Sequence, residues 1–181
     1  PVMSTSLQSI WGLEIRMEGL VQFNRESNLI PCISKSWVIS DDALTDVFSL
    51  RNDVYFHDNQ CFSPDGKGRK VIASDFKYCL ERVCNPKTKT RGQWVYRDRI
   101  KGAHEYIDFI SGKSTSEVKE ITGIKIINDS TLSIELTKPF SPFLSILTMS
   151  YGFVYPREAV DFYGEKFGQN PVGTGPFKFI K

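Results

Sequence analysis

Ile124-Lys125-Ile126-Ile127, Asn128-Asp129-Ser130 and Thr131-Leu132-Ser133-Ile134-Glu135-Leu136 decide the fold class of this chain. Two apolar stretches flank a short polar turn, which is the pattern of an antiparallel hairpin. Upstream the same grammar repeats. Leu20-Val21-Gln22-Phe23 reads as a short strand, Asn24–Asn28 as a polar turn, and Leu29-Ile30-Pro31 leads into a second strand, Ser36-Trp37-Val38-Ile39. Asp41-Asp42-Ala43 turns the chain into Thr45–Leu50, which alternates with period two, and Val54-Tyr55-Phe56 reads as another strand closed by His57-Asp58-Asn59. Strand, short turn, strand is a meander, so the sheet is expected to be mainly antiparallel.

Helical spacing marks the segments between. Leu7 to Leu20 carries apolar residues at Leu7, Ile10, Trp11, Leu13, Ile15 and Met17, the pattern of a mostly buried helix stopped near Gly19. Ser74 is the expected N-cap of a helix with apolar Phe76, Cys79, Leu80 and Val83, ended by Asn85-Pro86. Ile100, Ala103, Ile107 and Ile110 mark a second amphipathic helix with Gly112 after its end. Phe140–Met149 reads as an apolar helix after Pro139, and Pro156 begins another that runs through Tyr163 to Gly164. The sum is an α+β chain, a mainly antiparallel sheet with packed helices.

Composition narrows the function classes. Net charge is +2, from 23 basic and 21 acidic residues, so nothing favours nucleic acid or a membrane surface. The longest apolar stretch, near Pro142–Thr148, is too short to span a bilayer. Cysteines at 32, 61, 79 and 84 form no CxxC pair, and are expected to be free, partly buried thiols. Cys79 and Cys84, five apart, fall on different faces of their helix. Pro171-Val172-Gly173-Thr174-Gly175-Pro176 is a turn, and Phe177-Lys178-Phe179-Ile180 begins a new alternation as the chain ends. The expectation is a piece of a longer protein.

Catalytic constellations are scarce. The two histidines read as a solvated turn residue, His57 beside Asp58, and an exposed helix-edge residue, His104 beside Glu105. A hydrolase or transferase using either would need a carboxylate on the ring and an activated nucleophile nearby. Gly66-Lys67-Gly68-Arg69-Lys70 lacks the phosphate-loop spacing and reads as a solvated basic loop, as does Lys87–Arg91. Asp41-Asp42 reads as a turn, not an acid/base pair. No His, Cys, Asp or Glu group has metal-ligand spacing, so no catalytic residue, metal or cofactor is expected. Trp11 and Trp37 are core candidates, whereas Trp94 follows a polar loop, where an aromatic hints at ligand or partner contact.

The order of segments says more than any one of them. Glu18-Gly19-Leu20-Val21, Ser34-Lys35-Ser36-Trp37, Phe48-Ser49-Leu50-Arg51-Asn52-Asp53-Val54-Tyr55-Phe56-His57-Asp58, Ala73-Ser74-Asp75-Phe76, Gly102-Ala103, Gly123-Ile124-Lys125 and Pro171-Val172-Gly173-Thr174-Gly175-Pro176-Phe177 follow one another along nearly the whole chain. In this order they resemble the family 5 extracellular solute-binding proteins, the peptide- and nickel-binding components of ABC importers. The resemblance implies one part of a two-lobed periplasmic binding protein of the class II-like, peptide-binding type. Residues 1–34 would start the base domain of the first lobe, 35–168 form its inserted α+β domain, and 169–181 return to the base. The second lobe would be absent, and Pro1 would be the second half of the family's Asp-Pro motif.

The implied function is capture of oligopeptides or dipeptides for a membrane permease, with nickel, haem or another small solute as alternatives and a hydrolase domain the more distant one. The implied partners are the ligand and the ABC permease subunits, with no nucleic acid, the protein itself a monomer. It would be periplasmic or at the cell surface, free or lipid-anchored. Carried over position by position, ligand contacts fall on Thr5, Ser6 and Leu7 through their backbone and on Trp94 from the loop after the helix.

Overall fold

The computed structural model of the protein describes residues 15–180. Four strands, β3 (Ser34–Ile39), β4 (Thr45–Leu50), β5 (Ile124–Asn128) and β6 (Thr131–Glu135), form one sheet in the order β3-β4-β6-β5, every pair antiparallel. The hairpin read from the sequence is β5–β6, and its turn is held by Asn128 Oδ1, which accepts the Ser130 N–H at 2.9 Å. In β4 the alternation is literal. Asp46, Phe48 and Leu50 are buried and Thr45, Val47 and Ser49 half-buried, because a strand presents successive side chains to opposite faces. A separate ribbon pairs β1 (Val21–Phe23) with β2 (Leu29–Pro31) across the Asn24–Asn28 turn, where Asn24 Oδ1 accepts the N–H groups of Glu26 and Asn28.

Helix α1 (Ala73–Cys84) packs on β5 and β6 and buries Phe76, Cys79, Leu80 and Val83. Its start differs from the expected Ser74 cap. Asp75 Oδ2 accepts the Ile72 N–H at 2.9 Å and closes the first turn, which leaves Ser74 inside the helix. Cys79 and Cys84 are both interior although five apart, because α1 is covered on more than one side. The sheet lies on one flank, and on another the Cys79 thiol meets the Tyr155 carbonyl at 3.3 Å.

Two short helices follow, α2 (Gln93–Tyr96) and α3 (Ala103–Ile110), the second ending before Gly112 in the left-handed region at φ 73°. The apolar Phe140–Met149 stretch is not one long helix. Only α4 (Phe143–Ile146) forms, since Thr148 and Met149 bond back three residues, to Ser145 and Ile146, and tighten the turn out of the α-helix. A 3₁₀ turn at Ser150–Gly152 leads on to α5 (Arg157–Tyr163), which Pro156 precedes and Gly164 ends. Val54–Phe56 makes only an isolated bridge, Tyr55 to Lys70, instead of a strand. The Phe56 N–H goes to the Arg69 carbonyl and the Val71 N–H to the Val54 carbonyl, but the His57 N–H then leaves for Gly173, so the pairing stops at one bridge. One continuous core holds Phe48, Phe76, Tyr96, Phe143 and Tyr155.

Candidate functional site

Three remote segments meet along residues 15–20. The Leu7–Leu20 pattern predicts a helix, whose first half, with Trp11, lies outside the described residues. The described half is not helical: Ile15 and Arg16 form a turn, and no helix follows through Leu20. Ile15 O accepts from Phe177 N, Arg16 O from Gly175 N at 2.9 Å, Glu18 O from Val154 N at 2.9 Å, Gly19 O from Ile33 N, and Leu20 O from the backbone N–H groups of Cys32 and Ser34. A helix would turn these carbonyls to its own N–H groups; here tertiary partners take them, and the tertiary bonds override the local pattern.

The segment Pro171–Phe177 is locked to this stretch from one side and to His57 from the other. A Cβ on Gly173 would sit 2.0 Å from the Arg16 carbonyl oxygen, so only glycine permits the approach. The His57 N–H donates to the Gly173 carbonyl at 2.8 Å, and Nε2 lies 2.6 Å from the Gly175 carbonyl oxygen. A carbonyl only accepts, so Nε2 carries the proton. His57 is therefore a half-buried clamp and not a solvated turn residue. The Phe177–Ile180 alternation is likewise not a strand; its backbone runs beside Ile15 and Arg16.

This junction opens onto a cavity of about 340 Å³, walled by Met17, Glu18, Gln22, Phe23, Thr148 and Phe153, with Cys32 at its side. The Cys32 thiol faces Glu18 Oε1 at 3.7 Å. Burial, and then the Glu18 charge, push that thiol up to about 12, which keeps it neutral and unreactive. Burial does the same to Cys61, up to about 11, and to Cys84, up to about 12. The wall is thus mixed apolar and polar, without a nucleophile, and suited to binding through shape and a few polar contacts.

Trp94 sits on α2, not on a loop tip, and its side chain stands 61% exposed while its neighbours Val95 and Tyr96 are fully buried. Arg99 Nη1 donates to the carbonyls of Trp94 and Val95 at 2.9 and 3.1 Å and pins the turn. The backbone of this exposed ring is therefore fixed. Gly92, just before α2, touches the Tyr151 ring, and Tyr151 lies in the same 3₁₀ turn that leads to Phe153 of the cavity wall. Thr5, Ser6 and Leu7 lie outside the described residues.

The remaining candidates resolve into structural roles. His104 Nδ1 meets Asp98 at 2.9 Å, as a catalytic ring would meet its carboxylate, but Nε2 faces Asp108 and Arg97 at 3.2 Å and no nucleophile. Among the described residues no group of three His, Cys, Asp or Glu side chains could hold a metal ion. The basic loop is not wholly solvated. Arg69 forks onto Asp75 with 2.7 and 2.8 Å contacts and onto Glu158 with 2.5 and 2.9 Å contacts. Nothing in the local sequence flags it, since Glu158 is 89 residues away.

The sequence model of the bacterial extracellular solute-binding proteins, family 5 middle, matches residues 28–181. The dipeptide-binding protein of Escherichia coli is 32% identical over 165 residues, covering 88% of this chain and 28% of that protein. Heme-binding protein A of Haemophilus influenzae is 31% identical over 167 residues, 89% of this chain and 28% of that protein. The solved Escherichia coli murein tripeptide binding protein superposes with a TM-score of 0.82 at 25% identity, covering 100% of this chain and 33% of its own. The chain spans less than a third of the length of the curated relatives it matches.

Proposed function

The chain belongs to the bacterial extracellular solute-binding proteins of family 5, and on that premise we propose that it is part of the substrate-binding component of an ABC importer. That component captures oligopeptides or dipeptides outside the cytoplasm and hands them to the membrane permease. The observation that carries this reading is the family match over residues 28–181, most of the chain. Likeness to a dipeptide-binding and a murein tripeptide-binding protein favours a peptide as the solute. The family is one of solute binders, not of enzymes, and the neutral thiols and occupied histidines accord with that.

In this reading residues 1–34 and 169–181 belong to a base domain and 35–168 to a domain inserted in it. The bonds between residues 15–16 and 175–177 support that division, because they join two ends of the chain around the larger sheet-and-helix body. Thr5, Ser6 and Leu7 lend backbone to an extended peptide, as an added strand would receive it. Trp94 offers a rigidly mounted aromatic face. Closure of a second lobe over the peptide is a hinge motion that ligand binding stabilises. The protein acts as a monomer in the periplasm or at the cell surface, free or lipid-anchored.

The test is a thermal-shift screen of the full-length gene product with di- to pentapeptides. A ligand at a hundred times its Kd adds about 2.7 kcal/mol to the native state, a readily measured rise in Tm. No shift with any peptide overturns the reading. Haem is the second reading, favoured by the 31% identity to a heme-binding protein. Haemin titration with a change in its visible absorption, in the absence of any peptide response, would establish it instead.

A further inference from the structure

We propose that Gly92 and Tyr151 are a positioning pair that sets where Trp94 stands relative to the cavity wall that carries Phe153. The proposal rests on the reading of Trp94 as a ligand contact and adds the residues that place it. Gly92 has φ −97° and ψ 0°, a conformation open to any L residue, so the backbone does not demand glycine there. Space does. A Cβ at position 92 would lie 2.5, 2.7 and 2.9 Å from Tyr151 Cδ1, Cε1 and Cγ. All three are ring atoms, which must move together or not at all, and Tyr151 is partly buried against the core.

Both partners are tied to what matters on their own side. Gly92 is buried directly ahead of α2, two residues from Trp94, and its N–H donates to Thr90 Oγ1 at 2.9 Å. Tyr151 belongs to the Ser150–Gly152 turn, after which Phe153 lines the cavity and the Val154 N–H donates to the Glu18 carbonyl. The contact of Cα on ring therefore connects the cavity wall to the helix that displays Trp94. A methyl group at position 92 has to push either α2 or the wall away, and packed interiors yield to such pushes by shifting whole elements.

The experiment uses the full-length gene product, with the peptide from the di- to pentapeptide panel that raises its Tm most as probe. Calorimetric affinities are measured for Trp94→Ala, Gly92→Ala, Tyr151→Ala and the Gly92→Ala/Tyr151→Ala double variant. Hydrogen exchange is followed over residues 92–97 and 150–154 without ligand. Gly92→Ala is expected to weaken binding about tenfold, a loss of the same order as Trp94→Ala, and to speed exchange in both segments. Adding Tyr151→Ala is expected to recover affinity relative to Gly92→Ala alone, because the collision is gone; two independent effects would add instead. Parental binding and exchange by Gly92→Ala while Trp94→Ala is impaired, or additive losses in the double variant, overturns the proposal. If Trp94→Ala itself binds as the parent does, the ligand-contact reading fails, and the exchange data alone report whether the pair couples wall and helix.

Discussion

Removing the Arg69 guanidinium is the sharpest test of how the helices are held to one another. Arg69 forms two forks at once, onto Asp75 in the first turn of α1 and onto Glu158 in α5, and lies 5.2 Å from the Phe56 ring centroid. The Asp75 side chain is only 5% exposed, whereas Arg69 and Glu158 are 33% and 37% exposed. In Arg69→Met the hydrophobic stem is kept and the charge lost. Asp75 is then a buried carboxylate with the Ile72 N–H as its remaining donor. Breaking a buried pair on one side costs about 3–5 kcal/mol, and water reaching the partly exposed half of this cluster sets the value at the lower end, about 3 kcal/mol. Glu158→Gln removes only the wetter arm and is expected to cost about 1 kcal/mol or less.

Hydrogen exchange over 73–84 and 157–163 in the full-length gene product reads the local stability of the two helices directly and is the suitable assay. About 3 kcal/mol corresponds to exchange on the order of a hundredfold faster. Acid supplies a second readout. Arg69 holds the Glu158 carboxyl below its ordinary value, chiefly by hydrogen bonding. The linked stabilisation is present above that ordinary value and is lost as pH falls through the lowered one. This acid sensitivity should disappear in Arg69→Met. Unchanged protection of α1 in Arg69→Met, or equal losses in Arg69→Met and Glu158→Gln, refutes the assignment of the buried Asp75 arm as the dominant one.

Asp46, buried on β4, has its carboxyl pushed up to about 6 by burial, from an ordinary 3.8. Its folded value is the higher, so its penalty is absent below about pH 4 and complete above about pH 6. Asp46→Asn should therefore stabilise by up to about 3 kcal/mol near neutral pH and give no gain near pH 3.5, as read by melts at the two pH values. His57→Ala strips the donor from the Gly175 carbonyl and should cost about 1–2 kcal/mol, with faster exchange at the Gly175 and Phe177 amides. His57→Gln, which can still donate, should recover part of that protection, and equal behaviour of the two variants would count against the clamp. Gly173→Ala meets a backbone oxygen at 2.0 Å that no side-chain rotation relieves, so a cost of about 3 kcal/mol or more and loss of the 15–16 to 175–177 bonds are expected by the same exchange assay.

What the sequence disclosed follows the range over which each signal acts. The β5–β6 hairpin, the alternation of Thr45–Leu50 and the buried positions of α1 were legible because period and turn chemistry are local. The non-helical course of residues 15–20 was not, because its apolar residues suit a helix and its actual partners, Ile33, Val154, Gly175 and Phe177, come from three distant parts of the chain. The double fork of Arg69 is illegible for the same reason, with one of its two acids 89 residues off. The exposure of Trp94 was legible in its polar context, since the basic loop before it offers no core to bury the ring. Gly92 carried no legible signal, since a glycine after a basic loop looks like any turn residue until the Tyr151 ring is placed on it.

The two most distinctive sequence pieces turn out to be one structural device. Phe56-His57-Asp58 and Pro171–Phe177 look unrelated along the chain, yet His57 reaches the Gly173 and Gly175 carbonyls with both its backbone and its ring. Asp58 Oδ1 in turn accepts the Gly68 N–H at 2.8 Å and ties in the loop that carries Arg69. Gly173 closes the other side on Arg16, one residue from Met17 of the cavity wall. The clamp, with glycine on one face and a ring donor on the other, braces the wall through backbone bonds and through the buried Met17 side chain that lies against Gly173. The bracing bonds run through backbone atoms of residues 15 and 16, so the exposed side chains of Gln22 and Phe23 on the wall take no part in it.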